Sequence, residues 1–423
     1  MSIEQVVFLV GGLGSRLGDL TVETAKPLLP VGGKPFLDYL LDEASRFGFR
    51  RALLLCSYRS DDVRRSYEGR IVRGMKVEVA VEPAPAGTGG ALVQAADRLD
   101  ESFFLANGDS LFDFNWLSLP SFDTGRTGWV ARMTLANGIA GSRYGRVDVE
   151  GGQVRAFIPA GESSRPINAG VYLMRKPILH WIDTTPCSLE RDVLPRLAAE
   201  GLLEGCTFDG PFIDIGIPED FERAGRLVPA IARRPAAFLD RDGVLNHDHG
   251  YVHRTDHFHW IDGAREAVRW LNDAGYFVFV VTNQAGVARG YYDEDAVQRL
   301  HRWMQDELYR CGAHIDGFEY SPYHPEAVVP AYRGDSPLRK PAPGMILKCL
   351  EDWPTDRGGS FLIGDRPTDL AAAAAAGVPG HHFPGGNLFD FVRNIVPSRR
   401  ALPLLAGSAD RTVTSEISNA KST

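Results

Sequence analysis

The strongest constraint on the fold is that strand-like and helix-like segments alternate in two separate runs. In the first run, QVVFLV, RALLLCS and SFFLAN read as buried strands, while FLDYLLDEASRFG and TGGALVQAADRL have helical apolar spacing. The second run starts at Ala236, with the strands PAAFLD, YFVFVVTN and GSFLIG separated by helical patterns. This alternation is typical of α/β domains with mostly parallel sheets. We therefore predict an α/β chain with two doubly wound domains.

The length of the chain and the break between the two runs suggest the domain boundaries. A chain of 423 residues favours two domains over one. We predict a first domain over residues 1–226, a linker over 227–235 and a second domain over 236–397. The junction ending in ARRP is too short for a long flexible linker, so we expect the domains to touch. We expect a polar tail without stable structure over residues 398–423, since its end is aperiodic.

Composition and charge argue against several classes of partner. A net charge of -8 makes a nucleic-acid partner unfavourable. No apolar stretch is long enough to span a bilayer, and residues 1–10 lack the features of a signal peptide. The five cysteines are scattered without a CxxC pair, so we expect reduced thiols in a cytoplasmic protein. The sequence leaves a homo-oligomer open.

A glycine-rich segment, VGGLGSRLGDLTVETAKP, directly follows the first strand. Gly11, Gly12 and Gly14 allow a tight turn whose N–H groups can hold phosphate oxygens. Arg16 and Lys26 add positive charge where a triphosphate would lie. A glycine-rich turn alone is weak evidence, because any strand-to-helix turn can require glycine. Its spacing also differs from the dinucleotide-binding pattern GxGxxG.

Further segments strengthen the prediction of a phosphate site. EPAPAGTGGAL supplies a second glycine turn at the start of a helix, and LANGDS and FIDIGIPEDF place Asp109 and Asp214 at strand ends. Two carboxylates near a phosphate loop can share a Mg²⁺ ion. For Asp109 taken alone, a turn or helix-cap role is the alternative.

Together these segments resemble the sugar nucleotidyltransferases over roughly residues 3–226. The motifs that carry the resemblance are GGLGSRL, AKP, GTGGA, NGD, YGRV, INAGVYLM, SLERDVLP and DIGIPEDF. Within the family, GKPFLDYLLD and FIDIGIPEDFERA look most like the D-glycero-D-manno-heptose 1-phosphate guanylyltransferases, with the mannose 1-phosphate enzymes as near neighbours.

The resemblance implies a role for each candidate residue of the first site. It assigns nucleotide binding to Gly11, Gly12, Gly14, Ser15, Gly87 and Gly89, catalysis to Arg16 and Lys26, Mg²⁺ to Asp109 and Asp214, and sugar contacts to Asn168 and Glu190. The sugar phosphate would attack the α-phosphorus in line, with the protein supplying alignment and charge stabilisation.

The sequence departs from the family in one stretch. Related enzymes commonly have phenylalanine-x-Glu-Lys before the asparagine-glycine motif, and their lysine contacts the sugar phosphate. Here AFIPAGESSRPINAG places Pro159 and Ala160 at the acid and lysine positions. Arg165 is a candidate substitute because it is close in sequence.

The second run opens with a pair of acids. AAFLDRDGVLN places Asp240 and Asp242 two residues apart at a strand end, where an extended backbone puts both on one face. One carboxylate can attack phosphorus, and the other can protonate the leaving oxygen and then activate water. Because adjacent acids repel, a Mg²⁺ ion is expected to neutralise them.

The remaining groups of a phosphatase site follow in order. Thr282 and Asn283 end the strand in VVTNQAG, and Lys340 in LRKPAPGM supplies a fixed positive charge. Asp365 and Asp369 follow another strand in FLIGDRPTDLAAA. Any one of these elements alone is more simply a capped strand–helix turn, but all of them in this order favour a catalytic site.

The second pattern resembles the haloacid dehalogenase superfamily over about residues 236–385. FLDRDGVLN, GYV, TNQAGVARGYY, RKPAPGM and GDRPTD look like its heptose 1,7-bisphosphate and histidinol-phosphate phosphatases. The resemblance implies that Asp240 is the nucleophile and Asp242 the general acid/base. It assigns phosphate binding to Thr282, Asn283, Arg339 and Lys340, and the metal to Asp240, the Asp242 carbonyl and Asp365.

Histidine is dense in HDHGYVHRTDHFH, from His247 to His259. A metal site is one interpretation. We favour a polar specificity loop beside the second site, because the related phosphatases have a loop with GYV here.

Phosphatases of this branch often carry a structural zinc loop with a Cys-x-His pair and a later Cys-x-Cys pair. Here Ser321 and Tyr323 replace the first pair, Ser336 and Leu338 replace the second, and His324 has no thiolate partner. Structural zinc normally takes four Cys or His ligands, so we predict Mg²⁺ at both sites and no zinc. The side chains expected to hold the loop by apolar contacts are Tyr323, Val328, Val329 and Tyr332.

The two resemblances predict a bifunctional enzyme of activated-heptose synthesis. Its partners would be sugar phosphates and a nucleoside triphosphate, with GTP the expected nucleotide. One alternative is a mannose 1-phosphate guanylyltransferase fused to a sugar or histidinol phosphatase. Another is a phosphatase with a non-catalytic nucleotidyltransferase-like binding domain, which the missing Glu-Lys pair motivates.

Overall fold

The computed structural model of the chain describes residues 3–139, 143–161 and 164–400. The described residues form a ten-stranded sheet, a five-stranded sheet and two small two-stranded ribbons. The ten-stranded sheet lies before residue 235 and the five-stranded sheet after it.

The N-terminal part supplies fourteen of the described strands. They are β1 (Gln5–Leu9), β2 (Pro30–Val31), β3 (Lys34–Pro35), β4 (Arg51–Cys56), β5 (Ile71–Val72), β6 (Met75–Val81), β7 (Ser102–Asn107), β8 (Ser110–Phe112), β9 (Ala131–Ala136), β10 (Arg146–Glu150), β11 (Gln153–Ile158), β12 (Ile167–Arg175), β13 (Leu203–Phe208) and β14 (Phe212–Asp214). The α-helices are α1 (Phe36–Ser45), α2 (Ser60–Tyr67), α3 (Gly87–Gln94), α4 (Leu194–Ala199) and α5 (Pro218–Ala232).

The large sheet has the order β10-β11-β13-β9-β12-β7-β1-β4-β6-β5. Strands β7, β1, β4 and β6 are parallel neighbours, whereas β12 runs antiparallel to β7 and β9. Val6 and Phe8 pack into one buried cluster and Val7 into the other, so β1 is covered on both faces. This double burial explains why β1 is apolar throughout. Leu9 at its end pairs with Leu55 and Asn107, so the loops that follow the three strands leave from one edge.

The C-terminal part forms a parallel five-stranded sheet in the order β17-β16-β15-β18-β19. Its strands are β15 (Ala236–Leu239), β16 (Phe277–Asn283), β17 (Gly317–Ser321), β18 (Phe361–Gly364) and β19 (Gly380–His382). Its α-helices are α6 (Ala264–Asp273), α7 (Ala285–Ala288), α8 (Glu294–Arg310), α9 (Gly344–Asp352), α10 (Pro367–Ala376) and α11 (Leu388–Ile395). Helices and loops cover both faces of the sheet, consistent with the predicted doubly wound α/β class.

The predicted linker over residues 227–235 is wrong in its first part. Helix α5 continues to Ala232, so residues 233–235 alone connect it to β15. Leu227, Val228 and Ile231 recur at helical spacing and are buried in the N-terminal core, and their burial stabilises the helix across the expected junction.

The two parts of the chain are joined by buried ion pairs. Arg46 directly follows α1, and its Nε lies 2.8 Å from Oδ1 of Asp316, next to β17. Arg234, in the connection, lies 2.8 Å from both Glu43 Oε2 and Asp113 Oδ1. The expected contact between the domains therefore includes charged side chains that are removed from water.

The start of the predicted polar tail is also ordered, contrary to expectation. Arg399 and Arg400 contact the Asp113 carboxylate at 2.8 and 3.4 Å. Residues 401–423 of that tail lie outside the described residues. None of the helices in the described part of the chain is both long and apolar enough to cross a lipid bilayer.

The buried carboxyls of Asp113 and Asp316 predict how the free energy of unfolding changes in acid. Burial alone would raise the pKa of both carboxyls, but the charges of Arg234 and Arg46 respectively lower each pKa well below its ordinary value. A carboxyl with a lowered pKa in the folded state stabilises the fold above about pH 4, and this stabilisation is lost as pH falls. In urea titrations we expect the free energy of unfolding to fall below about pH 4, by about 1.4 kcal/mol per pH unit for each group. A free energy that stays constant down to about pH 2 would contradict this prediction.

Candidate active sites

The first candidate site is a cavity of about 420 Å³ at the edge where β1, β4 and β7 end. The predicted residues that line it are Gly11, Gly12, Lys26, Gly87, Asp109 and Glu190. The other predicted residues of this site lie outside the lining: Gly14, Ser15, Arg16, Gly89, Asn168 and Asp214.

Two of the predicted glycines have backbones that other residues rarely adopt. Gly14 has φ 65° and immediately precedes a turn that begins at Ser15. Gly87 has φ 75° at the start of α3, and a Cβ there would lie 2.4 Å from the Cys187 carbonyl oxygen. Gly89 N–H donates to the same oxygen at 2.9 Å. Glycine is therefore needed for both loops that border the cavity.

Lys26 and the two predicted metal acids lie together beside this cavity. Lys26 Nζ donates to Asp109 Oδ2 at 2.5 Å, and Lys26 is buried. A Cβ on Gly216 would lie 2.7 Å from Asp214 Oδ1, 3.3 Å from Lys26 Nζ and 3.4 Å from Arg16 Nη2. The two predicted cations and Asp214 therefore converge on one point next to the cavity.

The electrostatics of Asp214 agree with a shared cation site. Burial raises the pKa of the Asp214 carboxyl, and the neighbouring charge of Asp109 raises it further, while Lys26 lowers it. Two carboxylates that destabilise each other's charge favour a divalent cation between them. The oxygen donors at this point are therefore of the type that suits Mg²⁺.

The predicted sugar residues are linked through Tyr172, although Glu190 lines the cavity and Asn168 does not. Asn168 Nδ2 donates to the Tyr172 hydroxyl at 2.6 Å. Burial raises the pKa of Tyr172, and the Glu190 charge raises it further. Glu190 Oε2 accepts hydrogen bonds from Thr88 at 3.0 Å and Ser188 at 3.1 Å. Glu190 reaches the cavity from a single turn of π-helix, Leu189–Val193.

Arg165 does not take the position suggested for it. Its Nε pairs with Asp148 Oδ1 at 3.2 Å on β10, and it is not among the described residues that line the cavity. Arg143 lies closer to the acids, at 2.5 Å from Asp220 Oδ2 and 3.9 Å from Asp214 Oδ2. Sequence proximity pointed to Arg165, but its guanidinium pairs with Asp148.

Sequence reasoning also missed Glu82, which lies in the quoted EPAPAGTGGAL segment. Glu82 lines the cavity, with Oε2 accepting from Ala86 N–H at 3.1 Å. Its Oε1 would lie 3.2 Å from a Cβ on Gly11, and burial raises the pKa of its carboxyl. The sequence signal that could have identified Glu82 is its position as an acid shortly before the second glycine turn.

The second candidate site is a cavity of about 660 Å³ where β15 and β16 end. The predicted residues that line it are Asp240, Asp242, Thr282, Asn283, Arg339 and Lys340. Both predicted catalytic acids therefore face one cavity, as the alternation along an extended segment indicated.

Lys340 is held in a fixed position between two acids. Its Nζ lies 2.9 Å from Asp240 Oδ1 and 2.7 Å from Asp369 Oδ1, and it also donates to the Val281 carbonyl at 2.8 Å. Asn283 exchanges two 3.0 Å hydrogen bonds with the Lys340 backbone. Burial raises the pKa of Asp240 to about 7, with Lys340 acting to lower it and Asp369 to raise it.

The acids of this site fit a divalent cation. Oxygen atoms of Asp240, Asp365 and Asp369 lie within 4.8 Å of one another. Asp369 is already engaged by Lys340 and by the Arg366 N–H at 2.9 Å. Asp365 Oδ1 is buried without a hydrogen-bond partner among the described atoms. A buried carboxylate oxygen without a partner is costly, and a bound cation would satisfy it.

Asp242 is held by residues that sequence reasoning did not select. Arg241, which is fully buried, donates to it at 2.8 Å, and Gln284 Nε2 donates to its Oδ2 at 3.0 Å. Gln284 also donates to the Thr282 hydroxyl at 2.9 Å and accepts from the Tyr292 hydroxyl at 2.8 Å. The second acid is thus fixed relative to the predicted phosphate-binding threonine.

Three arginines are part of the lining of this cavity. Arg289, Arg339, Arg366 and His324 belong to its lining, as do Asp248 and Tyr251 of the histidine-rich segment. Burial lowers the pKa of Arg339, and the charge of Arg289 lowers it further, so two guanidinium groups lie near each other. Arg289 and Arg339 would suit an anionic group of a bound substrate.

The histidine-rich segment contributes to the second cavity through other residues. The rings of His247 and His249 are 6.1 Å apart, and those of His249 and His259 are 5.5 Å apart. Among the described residues, only Asp240, Asp365 and Asp369 bring three potential metal-ligand atoms of His, Cys, Asp or Glu within 4.8 Å of one another. The position of Asp248 and Tyr251 in the cavity favours the specificity-loop interpretation.

The loop of residues 321–338 is closed by hydrogen bonds. His324 N–H donates to the Tyr332 carbonyl at 3.0 Å, and Arg333 Nε donates to the Ala327 carbonyl at 2.8 Å. The expected apolar contact of Val328 is wrong, because its side chain is 69% exposed. Val328 instead contributes its backbone N–H, which donates to the Ala288 carbonyl at 2.9 Å.

We predict that this loop holds no zinc. His324 Nδ1 accepts the Glu326 N–H at 3.1 Å, which leaves Nε2 as its one ring nitrogen for a metal. Phosphate release should therefore be unaffected by a zinc-selective chelator, and elemental analysis of the purified protein should find no stoichiometric zinc. One zinc per chain, removed by chelation together with thermal stability, would show the opposite.

Comparisons with known proteins match the two parts of the chain separately. The model of the nucleotidyl transferase family matches residues 5–230, and the HAD-hydrolase-like model matches residues 337–386. The D-glycero-β-D-manno-heptose-1,7-bisphosphate 7-phosphatase of Rhodopseudomonas palustris is 51% identical over 164 residues, which cover 39% of this chain and 91% of that protein. The corresponding α-anomer phosphatase of Burkholderia mallei is 47% identical over 143 residues, covering 34% of this chain and 76% of that protein.

Among solved structures, HddC from Yersinia pseudotuberculosis complexed with GMP-PN is 29% identical. The match has a TM-score of 0.47 and covers 53% of this chain and 99% of that chain.

Proposed function

The chain belongs to the nucleotidyl transferase family through residues 5–230 and to the heptose-bisphosphate 7-phosphatase family through its C-terminal part, and we propose that it makes a nucleotide-activated heptose in two steps. The chain combines nucleotidyltransferase and phosphatase activities. In the proposed sequence, the C-terminal site removes the 7-phosphate of D-glycero-D-manno-heptose 1,7-bisphosphate. The N-terminal site then transfers a guanylyl group from GTP to the remaining 1-phosphate.

One observation carries the proposal: each sheet presents a separate cavity with a buried lysine that contacts an acid at a strand end. These pairs are Lys26 with Asp109 and Lys340 with Asp240. Such clusters bind and neutralise phosphoryl groups in a site shielded from water. Two sites of this kind in one chain support two successive reactions on phosphorylated substrates.

In the phosphatase reaction, Asp240 attacks the phosphorus and the bond to the sugar oxygen breaks. Asp242 donates a proton to that oxygen and then, as a carboxylate, accepts a proton from the water that hydrolyses the aspartyl-phosphate. Lys340, Thr282 and Asn283 bind the transferring phosphoryl group. Mg²⁺ bound by Asp240, Asp365 and the Asp242 carbonyl would supply charge neutralisation and bring the pKa of Asp240 below about 7.

In the transferase reaction, an oxygen of the sugar phosphate attacks the α-phosphorus, and the bond to the β-phosphate oxygen breaks to release pyrophosphate. Lys26 and Arg16 neutralise charge on the phosphates, and the glycine loops bind the nucleotide through backbone N–H groups. Mg²⁺ bound by Asp109 and Asp214 would supply further charge neutralisation. Asn168 and Glu190 orient the sugar.

Glu82 supports guanine as the nucleobase. An ionised carboxylate only accepts hydrogen bonds, and guanine offers two adjacent donors, N1–H and the 2-amino group, on its Watson–Crick edge. Adenine, cytosine and uracil do not present two adjacent donors there. Glu82 lies in the cavity opposite Gly11, where its free Oε1 could accept from a base.

Replacing Glu82 by glutamine tests the nucleobase directly. We expect kcat/KM for GTP to fall about tenfold, because one charge-assisted hydrogen bond becomes a repulsive donor–donor contact or a weaker neutral one. Discrimination between GTP and ATP should fall with it. Steady-state pyrophosphate release with each nucleotide measures both, and Glu101→Gln, at an exposed position, is the matched control. Unchanged discrimination would exclude Glu82 as the group that reads the base.

The whole proposal is tested by incubating the purified chain with heptose 1,7-bisphosphate, Mg²⁺, and either GTP or ATP. Phosphate and pyrophosphate are followed separately. Phosphate should be released without nucleotide, whereas pyrophosphate should require it. If pyrophosphate is absent with every sugar 1-phosphate supplied, including mannose 1-phosphate, the N-terminal part is a non-catalytic binding domain and the two-step proposal fails.

A further inference from the structure

We propose that two residues directly after the phosphatase domain, Arg399 and Arg400, are positioning residues for Asp109 and Asp214 of the transferase site. The inference rests on the metal-binding role proposed above for those two acids. The three arginines that contact Asp113 are called the arginine clamp: Arg234, Arg399 and Arg400.

The two acids are carried by one short antiparallel ribbon of β8 and β14. Asp214 pairs with Ser110, and Phe212 pairs with Phe112. The Ile215 N–H donates to the Asp109 carbonyl at 2.9 Å, which extends the pairing past the acids. Any tilt or shift of this ribbon therefore moves both carboxylates relative to Lys26 and the cavity.

The other end of the ribbon is fixed at Asp113. The Asp113 N–H donates to the Pro211 carbonyl at 3.0 Å, closing the ribbon. The Asp113 carboxylate is 2% exposed and contacts Arg234 and Arg399 at 2.8 Å and Arg400 at 3.4 Å. Arg399 Nη2 also donates to the Asp113 carbonyl at 2.7 Å. At about 3.3 Å per residue, the clamp lies about 13 Å along the strand from Asp109.

Arg399 and Arg400 of the clamp are anchored on the phosphatase domain. Arg399 Nη1 donates to the Asp273 carbonyl at 2.9 Å, and the Arg400 N–H donates to the Ala274 carbonyl at 3.1 Å, both at the end of α6. Arg400 also donates to the carbonyls of Arg233 and Ile231, both at 2.6 Å. The Arg399 guanidinium thus links Asp113 to the second domain, and the Arg400 guanidinium links Asp113 to the connection.

The ribbon depends on the clamp arginines because the Asp113 carboxylate is charged and buried. A carboxylate taken out of water without enough partners is costly, and removing its cations destabilises the position it occupies. All three clamp arginines lie outside residues 1–226, the predicted first domain. The first domain therefore does not itself supply the cations that contact Asp113.

The double variant Arg399→Gln/Arg400→Gln in the full-length chain tests the proposal. Both activities are measured on one preparation, with the Mg²⁺ concentration varied in the transferase assay. We expect the transferase kcat to fall about tenfold or more, because small displacements of reacting groups have effects of this size. Half-maximal transfer should need more Mg²⁺, while phosphatase kcat and KM stay unchanged.

Two comparisons separate positioning from general destabilisation. Arg399→Lys/Arg400→Lys keeps the positive charges and should recover part of the transferase activity, and Arg302→Gln, an exposed arginine on α8, should change neither activity. Unchanged transfer and Mg²⁺ dependence in the glutamine variant, or a parallel loss of both activities, would overturn the proposal. If Asp109→Ala leaves transfer intact, the assignment of the acids fails instead, whatever the clamp variants do.

Discussion

Replacing Asp240 by asparagine is expected to abolish phosphate release from heptose 1,7-bisphosphate, by on the order of 10⁴-fold or more, while nucleotidyl transfer remains. An amide is a poor nucleophile and a weaker metal ligand than a carboxylate. The substitution also removes one of the two anions that contact Lys340, so the phosphate-binding lysine would keep Asp369 and the Val281 carbonyl as partners.

The measurement is phosphate release from the bisphosphate and, separately, pyrophosphate release from GTP with a sugar 1-phosphate. Asp256→Asn is the matched control, since Asp256 lies on the exposed histidine-rich segment and pairs with Arg254. The assignment of the nucleophile would be refuted by a variant that releases phosphate at a rate near that of the unchanged chain. Loss of transfer as well, in a folded variant, would argue against separate sites.

The parallel strands and the acids that follow them could be predicted from sequence because burial on both faces leaves a visible pattern. β1, β15 and β16 are short apolar runs, and the polar residues that follow lie at one sheet edge by the geometry of parallel strands. Asp109 and Asp240 were predicted in this way. Their positions depend on local sequence and on a simple rule of topology.

The antiparallel half of the large sheet and the β8–β14 ribbon could not be predicted in the same way. Each ribbon strand has three residues, too few for a periodic signal, and its register is set by a partner about one hundred positions away. The clamp is similar, since nothing near Asp113 in the sequence indicates that Arg399 contacts it. Contacts of this kind are decided by packing between distant segments.

Two local mistakes have physical causes that are specific to this chain. The linker was placed too early because the segment ending in ARRP stands where the second run begins, whereas apolar residues at helical spacing continue α5 to Ala232. Gln284 was passed over because a glutamine after a strand carries no charge. Its importance comes from contacts with Asp242 and Thr282 that only the folded loop creates.

Replacing Asp109 by alanine is expected to remove nucleotidyl transfer and spare the phosphatase. Asp109 holds Lys26 at 2.5 Å, and its charge raises the pKa of Asp214. Without it, Lys26 would pair with Asp214 instead, because that carboxylate would ionise more readily and lies close by. The proposed metal site would lose Asp109 as a ligand. The new ion pair with Lys26 would also occupy Asp214, the second ligand.

The expected loss in the transferase kcat/KM is about 10³-fold or more, since both the cation and the lysine act on charge that develops in the transition state. Pyrophosphate release is measured over a range of Mg²⁺ concentrations, and Asp97→Ala, at an exposed position after α3, is the control. Partial recovery at high Mg²⁺ would be consistent with weakened binding at Asp214. If Asp109→Ala instead silenced both reactions while circular dichroism showed an intact fold, the phosphatase would depend on a residue of the transferase site. A model of two separate active sites in one chain would then be wrong.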